Sequence, residues 1–139
     1  MVTEEPTAKK KILTLMLFPG PYGSQYADHM CRIADRAIDK GYDVRIFLYG
    51  DGVHAQLKGQ RPTAFLNVGE ALTRLREKGA EIKACSRCST ARGYVEGEFN
   101  EKEGRYPSSK AIDAVKIYSL YGFIDMLSIT DKLVTIGSA

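Results

Sequence analysis

The chain has 139 residues, of which 44% are hydrophobic and 27% are charged, and its formal net charge is +3. This length is enough for one domain with its own apolar core, and the composition excludes a disordered or fibrous protein. Lys and Arg residues are scattered among acidic residues, which argues against nucleic acid as the main partner. No apolar run approaches the roughly 18 to 20 residues that cross a bilayer, which argues against a membrane protein.

The cysteine content points to a reducing compartment. Three cysteines are an odd and sparse set for an extracellular disulfide framework, so a cytoplasmic location is expected. Residues 1–10 are expected to form a flexible tail and residues 11–139 a single domain. The apolar run ILTLMLF after the tail meets Pro19 and Gly20 at once, so it predicts a first strand rather than a signal peptide.

Short apolar runs alternate along the chain with segments of helical period. In chain order, the predicted elements are strand 12–18, helix 26–40, strand 44–49, helix 65–78, strand 80–84, a short helix capped by Ser108 or Ser109, strand 115–120, helix 123–129 and strand 132–136. Gly41 and Gly79 are expected to end the first two helices. The buried stripe of the first helix is predicted to hold Met30, Ile33, Ala34, Ala37 and Ile38.

Alternating strands and helices imply parallel strands joined by right-handed crossovers. The expected fold is therefore an open, three-layer α/β/α domain with five parallel strands. Functional groups in such sheets collect beyond the carboxyl ends of the strands. Three loops should lie there, namely PGPYGSQ at 19–25, YGDGVHAQLKGQ at 49–60 and CSRCSTARG at 85–93.

The first of these loops leads into a helix, so its backbone N–H groups could hold an anion. Gly20, Tyr22, Gly23 and Gln25 are the candidate binding residues there. The loop lacks both the Walker ending and the full dinucleotide glycine pattern, and the alternative is a tight turn in which the glycines relieve backbone strain.

Two other residues carry reactive side chains but weaker signals. His54 is the only histidine predicted near the strand ends, and it is interpreted as a surface residue rather than a base or ligand. Cys31 lies on the first predicted helix and is expected to be a small buried hydrophobic residue.

The third loop places Cys85 at the end of a strand, before residues that can start a helix. The partial positive charge of a helix N-terminus, with Lys83, Arg87 and Arg92 nearby, favours a thiolate. A thiolate attacks sulfur, binds metal or carries a persulfide, so Cys85 is a candidate nucleophile and Cys88 its companion, with Arg87 and Arg92 as candidate binding residues.

Four interpretations of the Cys85 and Cys88 pair are open. Zinc needs about four ligands, and one C-x-x-C leaves such a site half built, so no metal and no cofactor are expected. A dithiol oxidoreductase would use Cys85 to attack and Cys88 to resolve, although the aromatic and proline neighbours typical of thioredoxins are missing. The others are sulfur transfer through a persulfide and a pair that is merely small and buried.

From residue 11 onward the chain resembles the DsrE/DsrF/TusD-like sulfur-relay family. The resemblance rests on GPYGSQYA at 20–27, YGDGV at 49–53, IKAC at 82–85 and the closing IYSLYGFIDMLSITDKLVTIG at 117–137, in this order and spacing. It implies a five-stranded parallel sheet between helices. It also implies a sulfurtransferase-type carrier in which Cys85 holds the sulfur.

By the same resemblance, the partners would be sulfur-donor and sulfur-acceptor proteins, and the chain would assemble into trimers or hexamers. An apolar helix face holding Phe123, Ile124, Leu127 and Ile129 also favours assembly. Cys88 departs from the simplest family pattern, which has one cysteine in this segment. The alternatives to a carrier are therefore a dithiol oxidoreductase and a non-catalytic assembly subunit of a relay complex.

Overall fold

The computed structural model describes residues 9–95 and 97–138. Its elements, in chain order, are β1 (Ile12–Leu17), α1 (Tyr26–Asp39), β2 (Asp43–Leu48), a 3-10 helix (Gly50–Gln56), α2 (Val68–Glu77), β3 (Glu81–Cys85), α3 (Ser86–Ala91), β4 (Lys116–Tyr118), α4 (Leu120–Ile129) and β5 (Lys132–Ile136). Most of the predicted tail, residues 1–8, lies outside the described residues, so its boundary stays a prediction.

All five strands pair in parallel, in the order β4-β3-β2-β1-β5, as predicted. From β1 the chain moves outward strand by strand to β4, and it then returns to place β5 on the other side of β1. Crossovers of one hand that run in opposite directions put their helices on opposite faces of the sheet. The point where the direction reverses, between β1 and β5, is the topological switch point of the fold.

The first sheet face is covered by α1 and α2. Its cluster of fully buried side chains joins the strands to both helices and contains Leu15, Leu17, Ile46, Leu48, Ile82, Met30, Ala34, Leu72 and Leu75. The predicted stripe of α1 is wrong at Ile33, which is 42% exposed. Ile33 lies next to the buried row rather than in it, because the row continues through Met30, Ala34 and Ala37.

The second sheet face is covered by α4. Phe123 and Met126 of α4 pack there on Met16, Phe47 and Cys85, and the rings of Phe47 and Phe123 stack with centroids 4.2 Å apart. Aromatic pairs at this separation add to the stabilisation that comes from burial alone. Helices on both faces complete the three-layer α/β/α architecture predicted from the sequence.

Local side-chain and backbone bonds explain the boundaries of the first two helices. Gly41 follows α1 with a φ of +94°, a left-handed conformation that glycine adopts without strain. The helix predicted at 65–78 begins three residues later, because the side chain of Asn67 accepts a hydrogen bond from the backbone N–H of Glu70 and caps α2.

The helix predicted after Ser108 or Ser109 is wrong. The backbone there bonds instead to the segment around the 3-10 helix: Lys58 donates to the carbonyl of Lys110, and Ile112 donates to the carbonyl of Gln56. These bonds use the groups that a helix would need. No helix within the described residues is long and apolar enough to span a membrane.

Candidate functional site

A cleft of about 750 Å³ opens at the switch point of the sheet, beyond the carboxyl ends of β1, β2 and β5. Its walls come from the loop after β1, the 3-10 helix, the end of α3 and the segment after β5. The side chains and backbone that line it belong to Phe18, Pro19, Gly20, Pro21, Gly23, Ser24, Gly50, Asp51, His54, Arg92 and Ser138. Two of the three predicted loops therefore meet there, joined by Arg92 from the third.

Three side-chain pairs hold α3 and the residues after it against the 3-10 helix. They are Arg92 Nε to Asp51 Oδ1 at 2.9 Å, His54 Nδ1 to Tyr94 Oη at 2.9 Å, and Gln56 Nε2 to Ser89 Oγ at 3.0 Å. Because the two elements follow different strands, these links fix the loop after β2 relative to the loop after β3. The site is thus built on one connected unit.

Cys85 is the last residue of β3 and the residue that precedes α3. It is only 1% exposed, and its side chain packs on the second sheet face among apolar side chains of β1, β2 and α4. The predicted position at the strand end is confirmed. The thiol is, however, shielded from solvent rather than presented on a loop.

Cys88 lies three residues further along, in α3, and is half-buried between the two apolar clusters. It packs against the apolar cluster that contains Cys85, so the two thiols are neighbours. Burial raises the pKa of the Cys88 thiol above its ordinary value, and the neighbouring Cys85 adds to this effect. The N–H of Gly50 and the charge of Arg92 oppose it but do not reverse it.

Cys31 lies apart from this pair. It is on α1, buried against α2 as predicted, and lines a small cavity of about 200 Å³ between the two helices. Burial raises the pKa of Cys31 to about 12. This thiol stays neutral at physiological pH and takes no part in the site.

The four candidate residues of the first loop divide between two depressions. Gly20 and Gly23 line the cleft, whereas Tyr22 and Gln25 line a neighbouring groove of about 610 Å³ beside the start of α1. Tyr22 has a φ of +72°, and its hydroxyl donates to Gln60 Oε1 at 2.6 Å. Tyr22 therefore fastens the first loop to the second, and the structure does not bring it to the cysteines.

The three cations predicted near Cys85 are also separated. Lys83 pairs with Glu81 at 3.6 Å and lies over the ring of Tyr118, 4.1 Å from its centroid. Arg87 is exposed and does not line the cleft. Arg92 lines the cleft, pairs with an aspartate there, and donates from Nη1 to the carbonyl of Cys88 at 3.0 Å.

Sequence reasoning missed the place of Asp51 and His54 in the cleft wall. They are three residues apart, a spacing that puts side chains on one side of a 3-10 helix, but nothing in the sequence predicts that helix. Burial raises the pKa of Tyr94, so its hydroxyl keeps its proton and can donate it to Nδ1 of His54. Among the described residues, no group of three His, Cys, Asp or Glu side chains could hold a metal ion.

The raised pKa values of Cys31 and Cys88 can be tested by measuring how fast each thiol is alkylated. We expect iodoacetamide to modify the native chain at Cys88 much faster than at Cys31, because at pH 8 only about one Cys31 thiol in 10⁴ is ionised. The Cys88 rate should keep rising about tenfold per pH unit beyond the ordinary cysteine value, since its pKa is raised. Peptide mass spectrometry of timed samples measures both rates, with the unfolded chain as control. Equal rates for Cys31 in the native and unfolded chain would contradict the assignment.

Comparison with known proteins gives consistent matches over most of the chain. The model of the DsrE/DsrF-like family matches residues 11–136. An uncharacterized protein of Methanopyrus kandleri is 32% identical over 88% of this chain and 92% of its own length. Protein YchN of Escherichia coli is 30% identical over 83% of this chain and 90% of its own length. The crystal structure of the Escherichia coli ychN protein superposes with a TM-score of 0.76 and 27% identity, over 92% of this chain and 100% of that one.

Proposed function

Because the chain belongs to the DsrE/DsrF-like family, we propose that it is a sulfur carrier, which holds sulfane sulfur as a persulfide on Cys85 and passes it to the thiol of a partner protein. The observation that carries this proposal is the placement of Cys85 at the end of β3, in an apolar cluster against which a second thiol, that of Cys88, packs. Because its surroundings are apolar and closed to solvent, a persulfide there would be sheltered from free thiols and oxidants.

The chemistry needs only thiols and a persulfide donor. A protein thiolate attacks the outer sulfur of a donor R–S–SH, the donor S–S bond breaks, and the donor leaves as the thiol RSH. The protein then carries Cys–S–SH. In the reverse sense, the thiolate of the acceptor attacks the same outer sulfur and the protein thiol is restored, so no net oxidation takes place.

The carrier proposal predicts a mass gain of one sulfur atom after incubation with cysteine persulfide. Intact mass spectrometry measures the gain, and dithiothreitol should reverse it, because the added sulfur is sulfane sulfur. The double variant Cys85→Ser/Cys88→Ser should gain nothing, whereas Cys31→Ser should gain sulfur like the wild type. Equal uptake by the double variant would contradict the proposal.

A second candidate function is a dithiol oxidoreductase, and one observation favours it. Cys88 packs against the cluster that holds Cys85, and two thiols that form a reversible disulfide must be neighbours. This function predicts loss of two hydrogens on oxidation rather than gain of sulfur. A non-catalytic assembly subunit would show neither change.

We also propose that the chain works in the cytoplasm with sulfur-donor and sulfur-acceptor proteins, as a homotrimer or homohexamer. Phe123 and Leu127 belong to the helix face that is predicted to be apolar and open to assembly. In the structure Phe123 is buried and Leu127 is half-buried against the sheet. Ile124 at 60% and Ile129 at 50% are exposed as predicted, together with Tyr121 at 82% and Leu120 at 37%. An exposed group of this kind is typical of a surface that another subunit covers.

Light scattering tests the assembly. The wild type should have the mass of a trimer or hexamer at micromolar concentration, and Ile124→Glu should reduce that mass because it places a charge in the apolar contact. Ile33→Glu, at a site exposed on the opposite face of the sheet, is the matched control and should leave the mass unchanged. A monomeric wild type would contradict the proposal.

A further inference from the structure

The two neighbouring thiols of the site differ in their access to solvent. Cys85 is 1% exposed and closed in by Met16, Phe47 and the side chains of α4. Cys88 is half-buried and touches the apolar clusters on both faces. A donor molecule that approaches the closed site therefore meets Cys88 before Cys85.

The wall of the cleft is bonded to the backbone of the outer thiol's residue. Arg92, which lines the cleft, donates from Nη1 to the carbonyl of Cys88 at 3.0 Å. The cleft is open and holds about 750 Å³, enough for the reactive end of a persulfide donor. Neither cysteine lines the cleft itself, but Cys88 is joined to its wall through Arg92 and is the more exposed of the two.

We propose that Cys88 is the entry thiol, which takes sulfur from a persulfide donor in the cleft and hands it inward to Cys85. The inference rests on the proposed function. It gives a role in that function to Cys88, the second cysteine that the simplest family pattern lacks. On this proposal Cys88 has a function of its own, and that function is not primarily to resolve a disulfide with Cys85. The ligand class of the cleft is a persulfide, R–S–SH.

The two steps balance without an added oxidant. In the first, the sulfur of Cys88 attacks the outer sulfur of R–S–SH, the donor S–S bond breaks, and RSH leaves with the proton of the Cys88 thiol. In the second, the sulfur of Cys85 attacks the outer sulfur of the Cys88 persulfide, giving Cys85–S–SH. The proton of the Cys85 thiol passes to the sulfur of Cys88 as that sulfur leaves, which restores the Cys88 thiol.

Attack on the other sulfur gives a different product. If Cys85 attacks the inner sulfur of the Cys88 persulfide, a Cys85–Cys88 disulfide forms and the outer sulfur leaves as sulfide. That route discharges the sulfur instead of storing it. The two routes differ in products, so one experiment can distinguish them.

The sequence makes the two thiols easy to separate. Trypsin cleaves after Lys83, Arg87 and Arg92, so Cys85 is recovered in the peptide ACSR and Cys88 in CSTAR. The full chain is mixed with cysteine persulfide, quenched at set times with excess acidified iodoacetamide, digested and analysed by mass spectrometry. The wild type is compared with Cys88→Ser, Cys88→Ala and Cys85→Ser, with Cys31→Ser as the control for a thiol outside the site.

In the wild type, sulfur should be found first on CSTAR and later on ACSR. Cys85→Ser should load CSTAR at the wild-type initial rate, with no later movement. Both Cys88 variants should load ACSR about tenfold or more slowly, because the donor must then wait for local opening around Cys85. Circular dichroism of the variants verifies that they are folded.

Two results would overturn the inference and leave the proposed function standing. One is early label on ACSR in the wild type, and the other is loading of folded Cys88→Ser or Cys88→Ala at the wild-type rate. Absence of sulfur from both peptides in every protein would overturn the inference and the proposed function together. Recovery of only disulfide-linked ACSR and CSTAR would do the same, in favour of the oxidoreductase.

Discussion

Cys85→Ser is expected to lose all retained sulfur after the donor is removed, whereas the wild type keeps it. The buried thiol is the one place in the site where a persulfide is closed off from solvent, and sulfur left on the half-buried Cys88 is open to attack by free thiols. The measurement is intact mass after loading with cysteine persulfide, desalting and a timed incubation with glutathione. Retention in the variant should fall below detection within the time that the wild type remains loaded.

The variant needs a stability control, because Cys85 packs in an apolar cluster. A buried serine hydroxyl without a partner costs about 1 to 3 kcal/mol. Cys85→Ala avoids that cost and should lose retention equally, while Cys31→Ser should retain sulfur like the wild type. Retention of sulfur by folded Cys85→Ala would show that the carrier thiol lies elsewhere.

Gly52→Ala should produce the largest loss of stability of any single methyl addition near the site. A Cβ built on Gly52 overlaps the carbonyl oxygen of Leu17 and lies 2.9 Å from its carbonyl carbon. Backbone at the end of β1 cannot move aside as a flexible side chain can, and the N–H of Gly52 is fixed to the carbonyl of Phe18 at 2.8 Å. We expect a loss of about 3 kcal/mol in the free energy of unfolding.

The matched control for this change is Gly23→Ala in the first loop. A Cβ there meets no heavy atom within 4 Å, so its free energy of unfolding should stay within about 0.5 kcal/mol of the wild type. Urea unfolding followed by circular dichroism measures both. Indistinguishable midpoints for Gly52→Ala and Gly23→Ala would mean that the backbone of Gly52 does not approach Leu17 as closely as described.

The parallel sheet could be predicted because its strands are short, continuous apolar runs separated by segments of helical period. The strand β5 was predicted to the residue, and α1 to within one residue at its end. The 3-10 helix could not be predicted. Its first half holds three turn-forming residues, Gly50, Asp51 and Gly52, and such a segment indicates only a loop. The helix predicted near Ser108 does not form, because the backbone there bonds to the distant segment around the 3-10 helix. Local helix propensity carries no information about such long-range bonds.

The candidate site was predictable at the level of the backbone. A cysteine after a parallel strand and before a helix must lie at the sheet's carboxyl edge, and Cys85 does. Alternation along β3 puts its thiol on the face opposite to Ile82 and Ala84, but which helix covers that face has no local signal. The pairing of Arg92 with Asp51, and of His54 with Tyr94, joins residues about 40 positions apart and has no local signal.

The hydrogen bond from Arg92 to the carbonyl of Cys88 makes one guanidinium group a spectroscopic probe of the site. The Nε–H signals of arginines are separate from backbone amides in nitrogen-edited NMR spectra, and this one is held between Asp51 and the backbone of the reacting residue. Its chemical shift should move when Cys88 is alkylated, persulfidated or joined to Cys85, and its hydrogen exchange should accelerate when these bonds are lost. The chemical state of a thiol that absorbs no visible light can thus be followed in real time, without a label and without quenching the reaction.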